Sequence, residues 1–296
     1  MVGFLTFIIV GILFSLLPAE AFAWGPSAHL KMGLSVIDNL RIMGSDVANA
    51  ISNNPMQFLY GCVSADIIQA KRFVKYIYNC HNWDNAFKLL RSAKSSALKS
   101  FVYGYLAHLA ADIIAHNCYI PAKLVETYPK RGLKHFIWEM RFDSAIKDEK
   151  TEEGLRKIIR MDHSLEDELM NGLLETTLFS FKTNKRIFSG LLMLQRVQRW
   201  QLSMDEVDMR NNYSLAKEDV DHYLKLSLDA MLGFLIDMKN SKYLQFDPTG
   251  KDSLAKAKKI MRDLKKKDRD GIISGLDSNL VKDSVDYFKV HFIKNT

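Results

Sequence analysis

FVYGYLAHLAADIIAHNCYI, residues 101–120, is the stretch that decides the fold. It is nearly all apolar and too long for a buried strand, so it reads as a core helix. On a helix His108, Asp112 and His116 recur at i, i+4 and i+8 and line one stripe. A carboxylate on such an apolar helix must be met by hydrogen bonds, a counter-charge or a metal, because a bare one costs several kcal/mol or is forced neutral. Two readings fit the stripe. The histidines are metal ligands flanking the acid, or they are satisfied core residues bonded to it.

Outward from this helix the period stays helical. His29–Leu40, Asp84–Leu98, Leu133–Ile146, Leu165–Leu178, Ile187–Trp200, Val220–Met238 and Leu254–Leu264 repeat apolar residues at helical spacing, and no segment of strand period competes with them. Pro121 and Pro129 mark a loop, and Lys147–Glu153 reads as a surface connection. Only 15 glycines and six prolines are present, with no proline between Pro129 and Pro248, where a sandwich or barrel would need turns. The fold class is therefore all-α. The chain divides into a leader (1–23), a compact helical core (24–150) that carries the metal-capable residues, and a further helical region (151–296) packed on the same domain. With 48% hydrophobic and 25% charged residues, disorder is excluded. Three cysteines, Cys62, Cys80 and Cys118, permit at most one disulfide, and no CxxC pair suggests a zinc ribbon or a redox motif.

Residues 1–23 contain no Lys or Arg, and the apolar run Phe4–Leu17 stops at Pro18. With Ala21-Phe22-Ala23 offering small residues to a signal peptidase, this is expected to be an export signal cut before Trp24; an uncleaved N-terminal anchor is the alternative. The formal charge of +7 suits anionic partners such as lipid head groups, cell-wall polymers or nucleic acid. Within the basic run Lys251–Arg269, Leu254, Ala257, Ile260, Met261 and Leu264 share a face, which fits a plain surface helix or one lying on an anionic membrane. His163, His222 and His291 have no partner pattern and are expected at the surface.

Further ligand types lie near the central helix. His135 and Glu139 form an i, i+4 pair, Asp66 sits in apolar surroundings, and His81 opens His-Asn-Trp. Cleavage before Trp24 would expose an amine that, with the Trp24 carbonyl oxygen, closes a five-membered chelate beside His29. Together these residues resemble the zinc-dependent phospholipase C family, which belongs with the S1/P1-type nucleases. The resemblance is carried by Trp24-Gly-Pro-Ser-Ala-His29, Gly61-Cys-Val-Ser-Ala-Asp66, His81-Asn-Trp83, the run Gly104 to His116, and His135-Phe-Ile-Trp-Glu139. It implies three zinc ions: one on Asp66, His81, His108 and Asp112; a second on Trp24, His29 and Asp112, with Asp112 bridging; and a third on His116, His135 and Glu139. His116 follows Asp112 by only four residues, closer than in the nuclease and small phospholipase branches.

The implied activity is hydrolysis of a phosphodiester by a metal-activated water, with Asp66 as general base or orienter. A phospholipase C acting on glycerophospholipids is the leading reading, with phospholipid as partner and peripheral contact to an anionic membrane. A single-strand nuclease would need aromatic platforms, for which Trp83, Tyr119 and Trp138 are candidates alongside ordinary packing roles. A non-enzymatic envelope protein with structural metals is the third class.

Overall fold

A computed structural model describes residues 24–67, 80–128, 134–146, 148–172, 181–195, 215–269 and 278–295. Every regular element among them is helical, with no strand. The first half holds α1 (Pro26–Asp38), α2 (Ser45–Asn53), α3 (Pro55–Ser64), α4 (Trp83–Ser92), α5 (Ser96–Ile114) and α6 (Ile120–Glu126). It continues with α7 (Lys134–Ala145), α8 (Glu149–Arg160), α9 (Ser164–Asn171) and α10 (Phe181–Gln195). The last three are α11 (Lys217–Asp237), α12 (Lys251–Arg269) and α13 (Ser278–Asn295). Residues 1–23, on which the export signal was read, lie outside the described residues, as do the C-terminal parts of the helices expected to reach Leu178 and Trp200.

The central helix is where the sequence placed it. From Ser100 to Ile114 every residue of α5 is buried, so its neighbours surround it. α3 packs along one side, α11 along another, and α1 and α2 also meet it. α1 in turn contacts α3, α7, α8 and α11, which brings the start of the described chain into the middle of the molecule. A second, smaller apolar cluster joins Ala122 and Val125 of α6 to Ala257 and Leu264 of α12 and to Val281, Val285 and Phe288 of α13. No helix among the described residues is long and apolar enough to cross a membrane.

Four expectations are corrected. The segment Asp84–Leu98 is not one helix, because Ser95 leaves helical geometry and its hydroxyl accepts the Leu98 amide, capping α5 afresh. Pro121 does not open a loop. The chain passes from α5 through a π-helical turn, Ala115–Tyr119, into α6, and Pro121 lies in the first turn of α6, where a missing N–H is tolerated. Instead of a connection, 149–153 starts α8, capped by the Asp148 carboxylate on the Thr151 amide at 2.8 Å, with acids in its first turn and bases in its last. His163 is buried, stacked on Tyr60 with ring centroids 3.6 Å apart, and its Nε2 bonds the Ile158 carbonyl at 2.8 Å. His222 is exposed as expected; the side chain of His291 lies outside the described set. All three cysteines are buried and unbridged.

Candidate metal centre

The centre depends on how closely α3 and α5 approach. A Cβ added to Gly61 would lie 1.9 Å from the Phe101 carbonyl oxygen, and one on Gly104 would lie 2.0 Å from that of Phe58. Only glycine lets these backbones touch. At this distance a carbonyl of α3 comes within reach of α5, and His108 Nδ1 donates to the Cys62 oxygen at 2.8 Å. The proton is thereby fixed on Nδ1, leaving the Nε2 lone pair to point inward. It faces the Nε2 of His81 at 3.1 Å and Oδ2 of Asp112 at 3.2 Å.

The other walls follow from local structure. Asp66 sits in the turn that ends α3, after the last helical residue Ser64. His81 stands one residue before Asn82, whose side chain caps α4 through the Asp84 and Asn85 amides, and Tyr105 of α5 donates its hydroxyl to the Cys80 carbonyl. His29 lies in the first turn of α1, stacked on His108 with centroids 3.8 Å apart. His29, Asp66, His81, His108 and Asp112 are all nearly or fully buried.

Asp112 divides its oxygens. Oδ1 lies 3.2 Å from His29 Nε2, while Oδ2 lies 2.7 Å from His81 Nε2 and 3.2 Å from His108 Nε2. Asp66 completes the ring at 3.5 Å from His81 and 3.9 Å from His108. Although the imidazoles lie close, they aim poorly, and neither Asp112 oxygen nor either ring nitrogen of His29 has a well-directed hydrogen bond. Such buried polar atoms need another partner. The spacing suits a cation, since ligand atoms around a tetrahedral zinc with bonds of about 2.0–2.2 Å stand roughly 3.3 Å apart. Nitrogen and carboxylate donors without thiolate match a zinc site of the hydrolytic kind.

Electrostatics express the same crowding. Burial pushes the Asp112 carboxyl up, but the charge on His108 and the close contacts of His108, His29 and His81 together outweigh it and hold Asp112 well below the usual carboxylate range. Burial pulls His108 down, yet Asp112 and Asp66 leave it above its ordinary value. His29 is lowered by burial and then by its neighbour His108.

A second cluster forms at the end of α5. His116 lies in the π turn, and Nδ1 donates to the Pro248 carbonyl at 2.7 Å, again leaving Nε2 for the site. The His135 ring stands edge-on to it, with centroids 5.5 Å apart, and His135 Nε2 lies 2.8 Å from Glu139 Oε1. The ligand atoms of His116, His135 and Glu139 come within 4.8 Å of one another, as do those of His29, Asp66 and His108 and those of His81, His108 and Asp112. All eight side-chain candidates thus fall into two neighbouring groups.

Trp24, the ninth candidate, is fully buried. Its indole N–H is shared between the Ala111 carbonyl and the Ser227 hydroxyl, both at 3.1 Å, and its ring meets Phe142 at 4.1 Å. This bolts residue 24 to α5 beside Asp112. Sequence reasoning missed Asp143. Its Oδ1 accepts the Ala28 amide at 2.7 Å, and Gly25 is needed because a Cβ there would lie 2.3 Å from its Cγ. Continuing the His135, Glu139 spacing one more turn would have found it. The aromatic candidates have packing roles: Trp83 stacks on Phe234 and bonds the Phe246 carbonyl, while the Tyr119 hydroxyl donates to the buried Trp138 backbone.

An all-helical scaffold with buried imidazole and carboxylate clusters defines a class of metal-dependent helical proteins. Within it, the chain belongs to the zinc dependent phospholipase C family, whose sequence model matches residues 28–185, more than half of the chain. It is a phospholipase C-type hydrolase by that membership. No curated protein and no solved structure gives a match.

Proposed function

We propose that the protein is an exported phospholipase C that hydrolyses glycerophospholipids with three zinc ions, after removal of residues 1–23. Asp66, His81, His108 and Asp112 would hold one ion, the Trp24 amine and carbonyl with His29 and Asp112 a second, and His116, His135 and Glu139 a third. Bound there, zinc supplies an acidified water and positive charge for the phosphoryl oxygens. The observation that carries this reading is the division of the Asp112 oxygens, one toward His29 and the other toward His81 and His108, with neither well hydrogen-bonded.

The chain's own residues do the rest. Cys62 and Pro248 fix the tautomers of His108 and His116, so both present Nε2 without reorganisation. Asp66 stands farther from the imidazoles than Asp112 does, which suits it to accept or orient a proton of the attacking water. Three carboxylates only partly offset three divalent ions, leaving a site that attracts a phosphodiester anion.

Elemental analysis of Asp112→Asn, Glu139→Gln and Asp66→Asn tests the assignment, together with turnover on phospholipid vesicles and single-stranded DNA. Asp112→Asn should lose more zinc than Glu139→Gln, and Asp66→Asn should keep more metal than Asp112→Asn yet lose most turnover. Equal zinc in the Asp112 and Glu139 variants refutes the bridge, and DNA cleavage without lipid cleavage refutes the substrate.

A further inference from the structure

The basic helix α12 spends its apolar face inside the molecule. Leu254, Ala257 and Leu264 are buried, the last two in the cluster with α6 and α13. That face therefore cannot lie in a membrane. What remains outward is charge, nine bases against three acids, or +6 in a chain whose total is +7.

The charges are sorted around the helix. Opposite the buried face, Lys251, Lys259, Arg262 and Lys266 follow one another at helical spacing, all exposed, and Arg269 ends the same ridge. Asp268 turns aside to the Tyr128 hydroxyl, and Lys256 lies over the Tyr287 ring at 3.3 Å, so neither belongs to the ridge. Asp252 and Asp263 lie on one flank. Nineteen helical residues make a line roughly 28 Å long.

Its foot is joined to the metal centre. Gly250, at φ +56°, packs directly on His116 and has no room for a side chain, since a Cβ there would lie 2.3 Å from the His116 oxygen. Asn117 Nδ2 donates to the Asp247 carbonyl at 3.0 Å, and Ser253 donates to Asn117 Oδ1 at 3.0 Å. The foot of the ridge is thus tied to the turn that carries His116.

We propose that the outward ridge of α12 seats the protein on an anionic lipid surface, with acidic head groups as its counter-ions. The inference rests on the phospholipase reading, which puts the substrate in a lipid interface. Lipid is favoured over nucleic acid because no exposed residue of α12 is aromatic, and single strands are held largely by stacking. Contact is electrostatic, without insertion, and so weakens with salt.

The test is co-sedimentation of the zinc-loaded protein with vesicles of pure phosphatidylcholine and of phosphatidylcholine with phosphatidylglycerol. The wild type should prefer the anionic vesicles at low salt. A Lys259→Gln, Arg262→Gln, Lys266→Gln variant should lose roughly fivefold in partitioning per residue, or about a hundredfold in all. It should keep its zinc, its helicity and its hydrolysis of a monomeric short-chain phospholipid. R262Q alone should show the single fivefold step. Equal partitioning of variant and wild type, equal binding of wild type to both vesicles, or ridge-dependent binding to oligonucleotide alone overturns the proposal. A wild type that partitions through the ridge but hydrolyses no phospholipid supports the surface and refutes the substrate assignment.

Discussion

Replacing Gly104 with alanine should separate the two helices on which the metal centre depends. The added carbon would start 2.0 Å from the Phe58 oxygen, a backbone atom that no rotamer change can move aside. Since carbon and carbonyl oxygen stand about 3.3 Å apart at closest ordinary approach, α3 and α5 must part by roughly 1.3 Å. Overpacking of this kind costs about 1–3 kcal/mol, with the upper end expected where both partners are helix backbone. For a chain of 296 residues that lowers the melting temperature by about 2–5 °C. The same displacement stretches the 2.8 Å bond from His108 to the Cys62 carbonyl, so zinc should leave before the fold does. Differential scanning calorimetry and elemental analysis on G104A decide it, with G44A as control because nothing lies within 4 Å of a Cβ at Gly44. A G104A protein that melts with the wild type and retains all its zinc would refute the argument.

Asp143→Ala should destabilise the protein by about 1–2 kcal/mol in denaturant unfolding, because the Ala28 amide loses its buried acceptor; an unchanged midpoint would count against it. A form with one residue added before Trp24 should be far less active than the form beginning at Trp24, and N-terminal sequencing of the exported protein should read Trp-Gly-Pro; an active chain beginning at Met1 contradicts this. His163 sets a pH dependence. Burial lowers its pKa below the ordinary 6.5, so the unfolded chain binds its proton first, and stability present above pH 6.5 is lost as pH falls toward the folded value. In urea unfolding from pH 8 to 5, His163→Gln should flatten part of that loss, whereas a slope identical to wild type would be the wrong outcome. Chelator should reduce both activity and thermal stability, because the imidazoles and carboxylates around Asp112 are left facing one another; full stability after metal removal would argue against a metal-held core.

Much of this was legible because the chemistry is written along single helices. The His108, Asp112, His116 stripe and the His135, Glu139 pair needed only helical spacing, and α5 is the buried helix its composition promised. Helical spacing alone did not disclose where His116 would turn; its grouping with His135 and Glu139 came from the family resemblance. An ideal helix keeps it on the stripe with His108, whereas the wide turn at Ala115–Tyr119 presents it to His135 and Glu139. Pro121 misled for a related reason, as a proline signals a break unless the preceding turn has already released its hydrogen bond. Asp143 was overlooked although it continues the His135, Glu139 spacing, because it holds backbone and not an ion pair, and the Pro248 carbonyl was hidden because it is backbone and has no residue pattern. His163 was hidden as well, since stacking on Tyr60 across more than a hundred residues leaves no periodic trace.

The small cluster shared by α6, α12 and α13 divides the way the molecule can come apart. α6 also serves the main core through Ile120 and Leu124, whereas α12 and α13 are held to it through few buried residues. The pair therefore has the makings of a separate opening unit, able to exchange its amide hydrogens without global unfolding. Lifting it would draw Pro248 and Gly250 off His116 and free the imidazole to rotate. By linkage, anything that holds His116 in place slows amide exchange along α12 and α13. The protection of these two peripheral helices thus reports the occupancy of a site that neither of them enters.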